Sequence, residues 1–385
     1  MSVDGILNVL KPAGKTSFAV VSMVRRWSGE RRVGHAGTLD PDATGVLVVC
    51  LGQAARIVEY MAGAGKTYQT EVELGVSTDT YDAAGKVVGR CDPSSVTEEQ
   101  VRRVLESFHG TIAQVPPMHS AIHHKGRRLY ELARQGIEVD REPRQVEISR
   151  LDLLAWQPPV VTIEVDCSGG TYIRSLAQDI GTALGCGAHL KRLVRLKSGP
   201  FHLHDAVPLA VLEEAFRGDD WRSYVHPMDE VLLDWPAAIL DRQSEALVTR
   251  GVDVELHFAG DTGLAGSRCR AYSADGHFLA VLTMTDVRFW HPEKVFHAPS
   301  QEVEELPSPP CCTSSIPQDW GVESSHGDNA DWNREDAKRW PQPALRLGPH
   351  NDKTPGQDVV KTLLLGGGSN QDDSGKRRKC RGDSP

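Results

Sequence analysis

The chain predicts an α+β fold built on a mixed, largely antiparallel sheet, and three observations carry that expectation. Strand-like and helix-like stretches follow one another without the regular βαβ alternation of a doubly wound sheet. The apolar run Val46-Leu47-Val48-Val49-Cys50 reads as a buried strand entered through a glycine-rich loop. From Ala237 to about Ala298, short strands separated by Gly260, Gly263, Gly266 and Gly276 form the pattern of a small β-rich unit.

Length and composition bound the organisation. At about 150 residues per domain, 385 residues imply two or three units. We expect a catalytic-size domain over 1–232, a small domain over 237–298 and a tail over 299–385. The tail is rich in Pro, Ser, Gly, Asp and Asn and lacks periodicity, the composition of an unfolded segment. No stretch approaches the roughly 20 continuous apolar residues of a membrane helix, and Met1 to Asp4 lack the basic and apolar regions of a signal peptide. A cytoplasmic protein is the expectation. Eight scattered cysteines without a Cys-x-x-Cys pair argue against a zinc site and against a disulfide framework.

A net charge of −9 is the opposite of the usual footprint of a nucleic-acid-binding domain. Its distribution matters more than its sum. Lys125, Arg127, Arg128, Arg134, Arg141 and Arg144 fall in one segment, and His189, Lys191, Arg192, Arg195 and Lys197 in another with no acidic residue between them. Either strip could track phosphates or be a solvated face.

In chain order, Gly5 to Leu10 reads as a strand, and Lys11 to Ser17 as a turn into a helix whose apolar residues Val20, Val21, Val24 and Trp27 recur at helical spacing. Ser17 is the expected helix cap. Gly14-Lys15-Thr16 suggests a phosphate-binding loop, but that pattern needs a glycine where Val9 stands. Gln53 to Met61 reads as helical, Lys66 to Leu74 as a half-buried strand and residues 97–108 as an amphipathic helix. Leu129, Leu132 and Ala133 mark a short helix ended by Gly136, with its arginines outward. Val160 to Val165 make a core strand, and the stretch Gly187 to Leu193 leads to another. Leu232 to Pro236 read as a link, and Ser244 to Arg250 as a helix.

The chemistry concentrates in Gly34-His35-Ala36-Gly37-Thr38-Leu39-Asp40-Pro41-Asp42-Ala43-Thr44-Gly45. Glycines let this backbone turn tightly and approach a ligand, while Pro41 biases Asp40 towards an extended conformation. If the loop is extended around Pro41, the Asp40 and Asp42 side chains point to opposite sides. A turn leading into a strand would explain the pattern without function.

The whole string resembles the second motif of TruB-type tRNA pseudouridine synthases, and the resemblance runs from about Gly5 to Leu209. Lys11-Pro12-x-Gly14-x-Thr16-Ser17 resembles the first motif, and Lys66-x-Tyr68 the next. Asp79, Asp82 and Gly85 match a following turn, and Gly170-Thr171-Tyr172-Ile173-Arg174 a later motif. The resemblance implies a pseudouridine synthase-type catalytic domain with a small PUA-like C-terminal domain. Asp40 would be the catalytic aspartate, supported by Tyr68, Arg174 and Leu193. His35, Lys11 and Tyr172 would contact RNA, joined by Arg127, Arg128 and Arg192 from the basic strips. The implied substrate is uridine 55 in the T-arm of tRNA, bound by a monomer without membrane, metal or cofactor. The chain departs from the family pattern at Asp42, His119 and Gly169.

That reaction breaks an N-glycosidic bond and rebuilds it to carbon, so it needs a nucleophile and no redox carrier. A carboxylate can attack the sugar's anomeric carbon or add to the uracil ring. Tyr68 offers a flat face for the extruded base, and His35 could fill the gap that the base leaves. A non-catalytic RNA-binding module that folds tRNA on this scaffold is the competing class. A glycosidase using Asp40 and Asp42 would explain the bond cleaved but not the basic strips.

Overall fold

The computed structural model describes residues 3–120, 122–256, 265–286 and 288–296. The segment 299–385, Gly260 and Gly263 lie outside the described residues. The strands in chain order are β1 (Gly5–Lys11), β2 (Val33–His35), β3 (Thr44–Leu51), β4 (Lys66–Leu74), β5 (Val76–Thr78), β6 (Val87–Arg90), β7 (Gly110–Gln114), β8 (His123–His124) and β9 (Arg127–Arg128). They continue with β10 (Arg144–Gln157), β11 (Val160–Cys167), β12 (Ala188–Ser198), β13 (Phe201–His202), β14 (Val207–Pro208) and β15 (Val225–His226). The main sheet runs β14-β1-β3-β12-β4-β11-β10-β7, with β2 added to β3, β13 to β12 and β15 to β1. Antiparallel pairings dominate, while β1–β14 and β3–β12 are parallel.

All eight residues of β3 are buried because both of its faces are covered. Val46, Val48 and Cys50 join one apolar cluster, and Leu47, Val49 and Leu51 another. β4 shows the alternation its sequence predicts: Lys66, Tyr68, Thr70, Val72 and Leu74 face inward. β12 joins these two strands, pairing with β3 at Val194–Thr44 and with β4 along Ala188 to Ser198.

Helices cover the sheet. α1 (Ser17–Ser28) packs Val20, Val21 and Val24 with Leu212 of α6 (Leu209–Gly218) against Leu7, Val9, Leu47 and Val49. Thr16, not Ser17, caps α1, its hydroxyl accepting from Ala19 N at 3.0 Å. The Ser17 hydroxyl is taken up elsewhere: it donates to Leu39 O and accepts from Leu39 N, at 3.0 and 2.9 Å. Gln53 to Met61 form a 3-10 turn over Gly52–Arg56 and the short α2 (Val58–Met61) instead of one helix.

Thr97 and Gln100 form a capping box that starts α3 (Glu98–Ser107). α4 (Leu129–Arg134) follows the β8–β9 hairpin. Leu176, Ala177 and Ile180 of α5 (Ile173–Ala183) share a core with Val101 and Leu105 of α3 and with Tyr68, Val72, Ile163 and Leu193 from the sheet. Each fully buried leucine of this kind stabilises the fold by about 2 kcal/mol.

A second sheet closes the described chain: β16 (Ala237–Ile239), β17 (Val254–Glu255), β18 (Arg268–Tyr272), β19 (Phe278–Asp286) and β20 (Phe289–Val295), in the order β16-β18-β19-β20-β17. Together with α7 (Arg242–Thr249) it buries its own core around Leu240, Val248, Ala271, Leu282 and Trp290. Leu232, expected in a link, is buried with Ile57, Val281 and Phe296, so it ties this sheet to α2. Tyr60 and Trp235 meet edge to face at 5.1 Å, and Arg56 Nη1 donates to Val295 O. Among the described residues, no helix is long and apolar enough to cross a membrane.

Candidate active site

The loop from Ala36 to Ala43 joins β2 to β3, and three side chains hold it. Ser17 fixes Leu39 through both backbone atoms. Lys11 is 0% exposed, and its Nζ donates to Pro12 O, Pro41 O and Ala43 O at 2.9, 2.8 and 2.7 Å. Arg195 reaches the loop from β12, donating from Nη2 to Gly37 O at 3.1 Å and from Nε to Val46 O at 2.7 Å. Ala43 N donates to Asp40 O, closing the turn around Pro41 and Asp42. Gly37 stands at φ 103°, in the left-handed region that suits a glycine.

Lys11, expected at the RNA, has its ammonium buried against three carbonyls as a clamp on the loop. Burial pushes its pKa down to about 8, while the charges of Asp40 and Asp42 pull it back up.

Asp40 turns into the site and Asp42 stays exposed on the loop's outer side. Arg174, in the first turn of α5, grips the Asp40 carboxylate with two bonds: Nη2 to Oδ1 and Nε to Oδ2, each 3.0 Å. Such a fork-on-carboxylate pairing fixes orientation as well as charge. Arg174 is itself held by His119 O at 2.9 Å, by Thr80 O and by the carboxylate of Asp82 at 3.5 Å. About a third of the Asp40 side chain remains accessible. Burial raises its carboxyl pKa from the ordinary value, the Arg174 charge opposes that rise, and the Asp82 charge adds to it.

The sheet brings the remaining groups to the same place. Leu39 and Ala43 of the loop, Tyr68 on β4, and Leu193 on β12 belong to one buried cluster. Burial raises the pKa of the Tyr68 phenol, while the nearby Arg195 charge lowers it. His35, the last residue of β2, is half-buried, and its Nδ1 has no hydrogen-bond partner among the described residues. Burial and then the Arg195 charge lower its pKa, favouring the neutral imidazole. Tyr172 caps α5, and Gln114 clamps its backbone on both sides: Tyr172 N donates to Gln114 Oε1 at 2.8 Å, and Gln114 Nε2 donates to Tyr172 O at 3.1 Å.

The two basic strips part company. Arg127 and Arg128 are exposed on the β8–β9 hairpin, outside the Asp40 cluster. The second strip lies on β12, where register shifts between Leu190 and Arg192 and between Arg195 and Lys197 break the alternation and divide it. Lys191 and Arg192 pair with Glu73 and Glu71 of β4 at 3.0 and 3.8 Å, while His189 and Arg195 are buried. It is therefore not a continuous solvated face.

Sequence reading missed the roles of Ser17, Asp82 and Arg195. Asp82 had a visible signal in the turn Asp79 to Gly85, but its pairing with Arg174 joins residues 92 positions apart in a way that spacing does not reveal. At Gly169, a Cβ would collide with the Ala62 carbonyl and lie 3.1 Å from Lys66 Nζ. Lys66 Nζ already donates to Met61 O, Ala62 O and Ala64 O there. Among the described residues, no cluster of His, Cys, Asp and Glu could hold a metal ion.

Comparison with known proteins finds relatives of the chain as a whole. Residues 25–173 match the family model "TruB family pseudouridylate synthase (N terminal domain)", and residues 174–233 match "tRNA pseudouridylate synthase B C-terminal domain". The chain is 44% identical to tRNA pseudouridine synthase B of Dehalococcoides mccartyi (strain ATCC BAA-2266 / KCTC 15142 / 195), over 77% of this chain and 98% of that one. It is 50% identical to the protein of that name from Symbiobacterium thermophilum, over 65% of this chain and 83% of the other. Among solved structures, a Cbf5-Nop10-Gar1 complex contains a chain of the same fold, with a TM-score of 0.60 at 28% identity, covering 76% of this chain and 85% of that one. An H/ACA RNP bound to a substrate RNA containing 2'-deoxyuridine gives 0.59 at 26% identity, with the same coverage.

Proposed function

We propose that this chain, which belongs to the TruB family of pseudouridylate synthases, converts uridine 55 in the T-arm of tRNA to pseudouridine with Asp40 as the nucleophile. The observation that carries this reading is the two-pronged Arg174–Asp40 pair beside Tyr68 and Leu193. It presents one oriented carboxyl group next to an apolar and an aromatic surface, which suits a flat, extruded base.

The reaction is an isomerisation. The bond from the ribose C1′ to N1 breaks, the uracil turns, and C5 bonds to C1′. C5 gives up its proton and N1 gains one, so atoms and charge balance without a cofactor. Asp40 supplies the nucleophile that carries the sugar or the base between the two bonds. The Arg174 charge opposes the rise in the Asp40 pKa that burial imposes. Tyr68 offers its ring to the uracil and its hydroxyl to the C5 side, and Leu193 bounds the pocket. Extrusion of the nucleotide leaves a gap in the RNA loop, which the neutral, half-buried His35 imidazole can fill. Loops with splayed bases are recognised by stacking and shape more than by helix grooves. On this reading Arg127 and Arg128, exposed on their hairpin, meet phosphates.

The test is tritium release from an unmodified tRNA transcript carrying 5-tritiated uridine, with the product mapped by position. Asp40→Asn keeps size but loses the nucleophilic charge, so release falls to background while tRNA binding persists. Turnover by the Asp40→Asn protein, or pseudouridine at a position outside the T-arm, overturns the reading. Wild-type binding without any release would favour the tRNA-folding module instead.

A further inference from the structure

Arg25, Arg26, Arg31 and Arg32 crowd the end of α1 and the turn after it, and all four are exposed. Glu30 is the one acidic residue among them, and its carboxylate accepts from Val3 N. Arg25 Nη2 donates to Val33 O at 2.9 Å. Arg26, Arg31 and Arg32 make no ion pair and no side-chain hydrogen bond among the described residues. Other exposed arginines are treated differently: Arg102, Arg103 and Arg217 each pair with a glutamate one helical turn away. In a chain of net charge −9, an uncompensated positive patch marks a place where a polyanion is met.

The fold ties this patch to the nucleophile loop. At the start of α1, the Ser17 hydroxyl holds both backbone atoms of Leu39, the neighbour of Asp40. At the far end, Arg25 holds the first residue of β2, and Gly52 N donates to Arg32 O at 2.8 Å. β2 then returns the chain from the arginine turn to His35 within three residues. α1, about 18 Å long for its 12 residues, therefore spans from the Asp40 loop to the arginines.

Phe18, Ser22 and Arg25 recur along α1 at the spacing of one helix face, with Arg26 beside them. Phe18 is 69% exposed, and it stands at the end of that face nearest the Asp40 loop. An aromatic ring and cations along one track suit single-stranded RNA, whose unpaired bases stack on rings while its phosphates meet arginines.

We propose that the outer face of α1 and the Arg31–Arg32 turn form a track for the RNA substrate, in which Arg26, Arg31 and Arg32 meet phosphates and Phe18 stacks on an unpaired base beside the Asp40 loop. This rests on the reading of the chain as an enzyme acting on tRNA. The track uses other residues than the β8–β9 hairpin, and its turn belongs to the segment that delivers His35.

The experiment measures binding of an unmodified tRNA transcript to the full-length protein across a range of salt concentrations. Arg26→Gln, Arg31→Gln and Arg32→Gln are combined in one variant, with Arg25 left in place because its bond holds β2. The plot of log K against log salt flattens by about 0.7 to 0.9 per lost contact, and tRNA Kd weakens about tenfold or more. The combination Arg26→Lys, Arg31→Lys and Arg32→Lys keeps the charge and most of the slope. A control combining Arg102→Gln, Arg103→Gln and Arg217→Gln removes as much charge elsewhere and leaves the slope near that of wild type. Phe18→Ala weakens Kd about tenfold with the slope unaltered, because stacking releases no counterions. Melting temperatures check that each variant is folded.

A slope unchanged by the triple Arg→Gln replacement overturns the proposal. So does equal flattening in the control, which would reduce the effect to net charge, and so does a Phe18→Ala protein that binds as tightly as wild type. Failure of the underlying reading shows separately, in a wild-type protein that binds tRNA without forming pseudouridine.

Discussion

Asp40 and Asp42 lie two positions apart on one loop, yet only Asp40 is paired with an arginine. Asp40 is held by the Arg174 fork, which Asp82 steadies from its other side, while Asp42 is exposed. Asp42→Asn should therefore leave tritium release within about twofold of wild type, the ordinary scale of a surface change. Asp82→Asn should do two separable things. If Asp40 is the nucleophile, it must be ionised to attack, so activity is present above its folded pKa and is lost as pH falls through it. Asp82 is one of the groups raising that pKa, so its neutralisation moves the acid limb of kcat/KM to lower pH. The plateau rate also falls, by about tenfold or more, because Arg174 loses an anchor. A limb that moves to higher pH, or a plateau that stays level, would show that Asp82 does not act through this pair. The Asp40–Pro41 loop entering a buried strand was legible in the sequence, since its motif is local and unbroken. Asp82, Ser17 and Arg195 were not, because what makes them part of the site is contact across the fold rather than spacing along the chain.

Single elements were read with uneven success, and the reason lies in how each is stabilised. β4 and α3 announce themselves by periodicity and capping, signals contained in ten residues. α1 was placed correctly but capped one residue off, because the hydroxyl of Ser17 is drawn to Leu39 and that of Thr16 serves the helix. The start of α5 has no side-chain cap of its own. Gln114, from the far edge of the sheet, holds the Tyr172 backbone instead, and Arg174 follows two residues later. Gln114→Ala removes both bonds at a buried position, which should cost about 1–3 kcal/mol of stability. The same loss lets the first turn of α5 fray, so the Arg174 fork is misaligned and kcat falls with Tm. Thermal unfolding and single-turnover rates on one preparation check this. A lower Tm with an unchanged rate would mean that α5 positions Arg174 without help from Gln114.

At the scale of the whole molecule, the sheet order places β12, with Leu193 and Arg195, between the strand after the Asp40 loop and the strand bearing Tyr68. No local pattern encodes that neighbourhood, so the sequence alone points to the members of the site through family resemblance and not through physics. The same sheet explains why the two basic strips, alike in composition, are unlike in placement. On β12, Lys191 and Arg192 face glutamates of β4, whereas Arg127 and Arg128 are exposed on a hairpin. A protein with a net charge of −9 repels RNA at long range, so binding must rest on local contacts whose strength depends on salt. If Arg127 and Arg128 each meet a phosphate, replacing both with Gln should weaken tRNA binding and flatten the plot of log K against log salt by about 0.7 to 0.9 per lost contact. Lys191→Gln should change that slope much less, since its ammonium is already paired with Glu73 at 3.0 Å. Titrations of tRNA binding across a range of salt concentrations separate the two strips. A steeper loss of slope for Lys191→Gln than for the hairpin pair would reverse the assignment and move the RNA path from the hairpin to the sheet.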